Sequence, residues 1–267
     1  MTLDDYVAAI SFRYVQPHDP VPEDLRMAIK GHEKYFELVN TRLPAESHDM
    51  FSKLSDLLSI PRMSTFAIGA IVNKGVSRLP EGCCFVNVGV WFGFTFLAGL
   101  VGNENRVCVG IDSFRQFTSR YGHPKESFVR RFQHYGSKNH CFYEGDYRDY
   151  FARMHDAPIG LYFYDGDHSY ESQLQGLRIA EPFLSEGSII LIDDTNWQSP
   201  RRATLDFIAD SNNEYDILLD CSTAFNGHPT FWNGVMVLRK RSEGCAGESD
   251  EPTDYAGDRL STPREGL

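Results

Sequence analysis

From Pro80 onward the sequence alternates short apolar runs with amphipathic helical stretches, and no other feature of the chain restricts its fold so strongly. Five runs read as strands: Cys84–Val88, Val107–Ile111, Cys141–Glu144, Gly160–Asp165 and Ser188–Ile192. Several are apolar throughout, as in parallel strands covered on both faces. Helical stretches such as SYESQLQGLRIAEPFL separate them. The expected class is α/β, a doubly wound and mostly parallel sheet. Two later runs, EYDILLD and NGVMVLRK, read as an antiparallel pair at the sheet edge.

The residues before Pro80 follow a helical period. PEDLRMAIKGHEKYFELVNTRL spaces Leu25, Ile29, Phe36, Val39 and Leu43 as one helix would. ESHDMFSKLSDLLSI repeats the pattern with Met50, Leu54, Leu57 and Leu58 until Pro61 stops it. A third helix is expected in MSTFAIGAIVNKGVSRL, capped by Ser64 or Thr65. From Arg241 the chain is polar, acidic and rich in Gly and Pro, the composition of a disordered tail. The expected division is a helical region at 1–79, a ligand-binding domain at 80–240 and a tail at 241–267.

A net charge of -11 argues against general affinity for nucleic acid or anionic membranes. The six cysteines form no CxxC pair, and four lie in or beside strand-like runs, so they read as buried thiols in a reducing compartment. The N-terminus has early acids and no basic segment, and no apolar run reaches membrane-spanning length. A cytoplasmic protein with a small-molecule partner is expected.

In an open parallel sheet ligands bind beyond the carboxyl ends of the strands, so the residues there are the candidates. The first strand is followed by Gly89 and Gly93, directly behind Asn87. The G-x-x-x-G spacing is neither the dinucleotide fingerprint nor a triphosphate loop, and by itself it serves equally as a tight strand–helix turn. Asp112, at the end of the next strand, adds the acid that would accept hydrogen bonds from a ribose. Asp165, Asp193 and Asp194 end the fourth and fifth strands. Carboxylates there must be paired, hydrogen-bonded or bound to metal, and hard oxygen donors with Asn196 nearby suit Mg²⁺. The competing role is capping of the following helices, which is favoured for Asp167 and Ser169. His168 is a candidate general base, a secondary metal contact or a structural polar residue. Trp91, Phe92 and Phe94 read as core, with room for one ring to border a ligand. Arg201 and Arg202 are either solvated or in contact with a polar substrate.

Taken together, VNVGVWFGFTFLAGL, VCVGIDSF, YFYDGDHSYESQLQGL and SIILIDDTNW resemble the class I S-adenosylmethionine-dependent methyltransferases. They are most similar to the metal-dependent O-methyltransferases of the macrocin O-methyltransferase type. The resemblance spans about Pro80 to Lys240. It implies a seven-stranded Rossmann-like sheet whose last strand, NGVMVLRK, runs antiparallel. It implies S-adenosylmethionine held by Asn87, Gly89, Gly93, Thr95, Asp112, Ser113, Asp146 and Tyr147. It further implies Mg²⁺ (or Mn²⁺) on Asp165, Asp193 and Asp194, with Asp165 or His168 taking the proton. The acceptor would be a hydroxyl of a sugar or other small polyhydroxylated metabolite. In relatives the region before the domain closes over the substrate and builds a homo-oligomer. The family usually has Glu or Asp where this chain has Asn87, which can hydrogen-bond a cofactor amino group but not form an ion pair with it. Two other functions share the architecture: a cofactor-binding scaffold without catalysis, and an NAD-dependent oxidoreductase, which the missing third glycine disfavours.

Overall fold

The computed structural model describes residues 1–47, 49–115 and 122–242. Apart from Arg241 and Ser242, the expected tail lies outside the described residues. Strands β1 (Cys84–Val88), β2 (Val107–Asp112), β3 (His140–Glu144), β4 (Ile159–Tyr164), β5 (Leu184–Asp193), β6 (Tyr215–Cys221) and β7 (Val235–Lys240) form one sheet. Its order is β3-β2-β1-β4-β5-β7-β6. The first five strands are parallel, and β7 runs antiparallel to both β5 and β6. Both strands of the expected edge pair are present, with β7 inserted between β5 and β6.

The apolar runs are explained by burial on both faces. Phe85, Leu161, Phe163, Leu191 and Val237 pack on one side, and Val86, Val88, Ile111, Tyr162, Ile190 and Met236 on the other. Successive strand residues point to opposite faces, so a run must be apolar at every position when both faces are covered.

Ten α-helices surround the sheet among the described residues. Four precede the third expected helix: α1 (Leu3–Ala9), α2 (Glu23–Ile29), α3 (Glu33–Asn40) and α4 (Asp49–Leu54). The rest are α5 (Phe66–Ser77), α6 (Phe94–Leu100), α7 (Pro124–Tyr135), α8 (Tyr147–Arg153), α9 (Tyr170–Ala180) and α10 (Gln198–Asp210). The single helix expected across Pro22–Leu43 is two. Gly31 stands at φ +80° between them, a conformation that interrupts α-helix. The chain then leaves α3 as an extended pair, Thr41–Arg42 against Ser11–Phe12. Met50, Leu54, Leu57 and Leu58 are all buried, as their spacing required. The same core cluster holds Val7, Phe12 and Met50 together with Phe85 and Leu191, so the N-terminal helices and the sheet share a core.

Thr65 occupies the N-cap of α5, but its hydroxyl donates to the Thr230 carbonyl instead of capping. The cap comes from Glu37. Its Oε2 accepts from Phe66 N at 2.8 Å, and its Oε1 pairs with Arg62 Nη2 at 2.6 Å. Glu37 is 3% exposed, and burial pushes its carboxyl up to about 7 against the opposing pull of Arg62 and the Phe66 N–H. A buried pair broken on one side leaves an uncompensated charge. Glu37→Ala should therefore cost roughly 3–5 kcal/mol in urea unfolding, a scale set by broken buried pairs. A loss below about 1 kcal/mol, the range of exposed pairs, would show that Arg62 finds water or another partner.

Candidate functional site

The strand order reverses beside β1, where β2 and β4 leave in opposite directions, and the crevice beyond their carboxyl ends is a cavity of about 620 Å³. That volume suits a ligand of cofactor size. Gly89, Gly93, Thr95, Asp112, Ser113, Asp146, Tyr147, Asp165, His168, Asp193 and Asp194 all line it. Asn87 does not. It is fully buried in β1, and its Nδ2 donates to the Gly89 carbonyl at 2.9 Å. Asn87 thus shapes the glycine loop from behind.

The loop itself is set by backbone geometry. Gly89 has φ +84°, and a Cβ there would fall inside the Asp165 carbonyl. The end of β1 and the end of β4 therefore touch only because residue 89 has no side chain. Gly93, at φ +101°, opens α6, and a Cβ there would lie 2.7 Å from Phe128 Cδ2. Asp112 braces the loop. Its Oδ2 accepts from Val90 N (2.8 Å) and Trp91 N (2.7 Å), and its Oδ1 accepts from Phe114 N (2.7 Å). An ionised carboxylate offers about four acceptor positions, so one remains for a ligand hydroxyl.

Asp146 takes the capping role as well. It is the N-cap of α8, accepts from Arg148 N at 2.8 Å and pairs with the Arg148 guanidinium. Ser169 caps α9, as its position suggested, and Asp167 accepts from Ser169 N.

Asp165, Asp193 and Asp194, at the ends of β4 and β5, line the same cavity. Burial, then the neighbouring Asp193, Asp194 and Asp112, hold the Asp165 carboxyl well above the usual carboxylate range. Burial and Asp194 do the same to Asp193. Close, buried carboxylates cannot all ionise without a cation or a proton. Asp194 is clamped: Asn233 Nδ2 donates to its Oδ1 at 2.7 Å, and His168 Nε2 lies 2.9 Å from its Oδ2. His168 packs edge-on against Trp197, with ring centroids 5.1 Å apart. The fit of a hard divalent cation divides into chemistry and position. Three carboxylates are suitable donors, and the buried Asp193 Oδ1 has no hydrogen-bond partner. Among the described residues, however, no three such side chains are gathered about one point. Asn196, the fourth suggested donor, is turned away, with its amide bonded to Thr223 on both sides. Arg201 and Arg202 are likewise engaged elsewhere, with Asp220 and Asp206.

Several lining residues were not legible as such. Arg62, Met63 and Ser64 come from the segment before α5, and Asn226, Trp232 and Asn233 from the loop between β6 and β7. All three tryptophans, Trp91, Trp197 and Trp232, line the cavity. Among the described residues, four non-glycine residues have φ near +50 to +57°: Trp91, Phe114, Asp194 and Trp232. Every one of them lines the cavity. Strained backbone of this kind persists where surrounding structure enforces it and clusters at functional sites.

Residues 86–195 match a family model described as a methyltransferase domain. Over this segment, less than half of its length, the chain is similar to a methyltransferase domain. It is an enzyme of the S-adenosylmethionine-dependent methyltransferase class. The matched segment runs from β1 to just past β5 and contains the glycine loop, Asp112 and the three clustered acids. No curated protein matches the chain. Solved structures share the fold of the methyltransferase domain and its surroundings. A cofactor-bound protein from MTB, Rv0187, has 13% identity and a TM-score of 0.56, covering 84% of this chain and 99% of that one. The S-adenosylhomocysteine-bound methyltransferase PaMTH1 of Podospora anserina has 14% identity and a TM-score of 0.52, covering 85% and 100%. A protein from Corynebacterium glutamicum has 15% identity and a TM-score of 0.52, covering 83% and 97%. No helix among the described residues is long and apolar enough to cross a membrane.

Proposed function

We propose that the chain is a Mg²⁺-dependent O-methyltransferase that methylates a hydroxyl of a sugar or other small polyhydroxylated metabolite. The observation that carries this reading is the convergence, on one cavity, of an acid-braced glycine loop and the strand-end carboxylates Asp165, Asp193 and Asp194. The loop end suits the nucleoside of S-adenosylmethionine. Gly89 and Gly93 let the backbone approach it, Asp112 accepts from a ribose hydroxyl, and Ser113, Asp146 and Tyr147 border the base. Thr95 lies beside the methionine part.

The acid end suits the acceptor. Asp165, Asp193 and Asp194 would hold Mg²⁺, which when bound supplies Lewis acidity that makes a hydroxyl easier to deprotonate. The cofactor sulfonium is already activated, so alignment and proton removal are what the protein adds. His168 turns Nε2 to Asp194, which leaves Nδ1 to face the acceptor as a base. Asn233 fixes Asp194, and Asp194 fixes the ring. Asp165 is the other proton acceptor at this end. The tryptophans offer flat apolar walls against which a sugar ring packs. The role proposed for the N-terminal helices is to close this end and to support a homo-oligomer in the cytoplasm.

The test is transfer of a labelled methyl group from S-adenosylmethionine to a panel of pyranosides and polyols, with Mg²⁺ or with EDTA. Transfer with Mg²⁺ that vanishes in EDTA is expected. Full transfer in a metal-free preparation would overturn metal dependence and move the proton to His168 alone. Asp112→Ala should weaken cofactor binding by about 1–3 kcal/mol, the scale of charged hydrogen bonds. Unchanged calorimetric affinity in that variant would remove Asp112 from the ribose site.

A further inference from the structure

The cavity wall is acidic, and the side chains with fixed positive charge that line it, among the described residues, are Arg62 and Arg148. Arg148 is committed to Asp146. Arg62 stands beside the glycine loop, its guanidinium over the Phe94 ring at 5.4 Å, one residue past Gly93. It is held rigidly: Nη1 donates to the Leu58 carbonyl and Nη2 to Glu37, each at 2.6 Å. Its Nε is buried without a partner. Two residues on, Ser64 also lines the cavity; it is 3% exposed, and its Oγ has no partner either. Two unpartnered donors, on neighbouring residues of one segment, form a pair that costs stability unless something arrives to satisfy it. Arg62 Nε can only donate and the Ser64 hydroxyl can donate as well as accept, so a single acceptor would satisfy both, and the guanidinium makes an anion the favoured one.

Resting on S-adenosylmethionine as the cofactor, we propose that Arg62 and Ser64 seat the carboxylate of its amino-acid part. Asn87 contributes no charge at the neighbouring loop, so the amino-acid part is held by its carboxylate. The Glu37–Arg62 pair then has a purpose beyond stability: it presents the guanidinium to the cavity in a fixed orientation, without rotamers to freeze on binding. The N-terminal region thereby supplies a wall of the cofactor site, and the segment ahead of α5 couples its own folding to cofactor binding.

Two ligands separate this role from a structural one. S-adenosylhomocysteine has the carboxylate, and 5′-methylthioadenosine lacks the whole amino-acid part. Each is titrated calorimetrically into the full chain, unmodified and as Ser64→Ala and Arg62→Lys. In both variants the affinity for S-adenosylhomocysteine should fall about tenfold or more, as loss of a hydrogen bond to a charged group does. The affinity for 5′-methylthioadenosine should stay unchanged. Equal losses for both ligands, or none, would overturn the proposal. Ser64→Ala removes one oxygen and decides the matter if Arg62→Lys disturbs folding through Glu37. An unmodified chain that binds neither ligand would overturn the cofactor reading and this proposal together. That result is distinct from tight S-adenosylhomocysteine binding that survives Ser64→Ala.

Discussion

Replacing Gly89 with alanine should cost about 4 kcal/mol or more, at the extreme end of single substitutions. Two terms add. At φ +84° an L side chain is strained by about 1–2 kcal/mol. The new methyl group would also fall inside the carbonyl of Asp165, which is backbone and cannot rotate away. Either β4 withdraws from β1 at the head of the cavity, or the loop refolds. Gly187 is the control, because it has φ +71° but nothing within 4 Å of where a methyl group would stand. Gly187→Ala should carry the strain alone, about 1–2 kcal/mol. Urea unfolding of the two variants isolates the close approach as their difference. Equal losses would show that β1 and β4 do not meet at residue 89.

Asp165→Asn should move activity and stability in opposite directions. Methyl transfer should fall at least a hundredfold, the lower range for loss of a general acid–base group. Binding of S-adenosylhomocysteine should change little, because its proposed side-chain partners follow β1, β2 and β3 rather than β4 and β5. The fold should become more stable in EDTA near neutral pH. The sign follows from the raised pKa. A carboxyl whose folded value lies above its unfolded value destabilises the fold as pH rises through that folded value. Asn keeps the shape and removes the charge that Asp193 and Asp194 repel. A variant that is less stable than the parent in EDTA would show that the Asp165 carboxylate is satisfied without a cation.

The sheet was legible because burial on both faces writes itself into every residue of a strand. The runs around Phe85 and Phe163 admit no polar position except Asn87, and their ends fall within about a residue of those expected. The glycine loop, Asp112 and the clustered acids were legible for a different reason: they directly follow strands, where the topology gathers them. The rest of the cavity comes from elements whose position depends on tertiary packing. Ser64 reads from sequence as a helix cap, because nothing local says that Glu37 already caps α5. Asn233 and Trp232 lie in a loop whose composition says only that it turns. Asn196 stands beside Asp194 in sequence, yet Thr223 takes its amide, and Asn233 holds the acid instead. The break at Gly31 was missed because the apolar spacing continues across it.

The most direct measurement is calorimetric titration of the full chain with S-adenosylhomocysteine and, separately, with NAD. One-to-one binding of S-adenosylhomocysteine, weakened in Asp112→Ala, with no binding of NAD, is the expected result. Tight binding of NAD with none of S-adenosylhomocysteine would contradict the assignment of the cavity and favour hydride transfer on the same sheet.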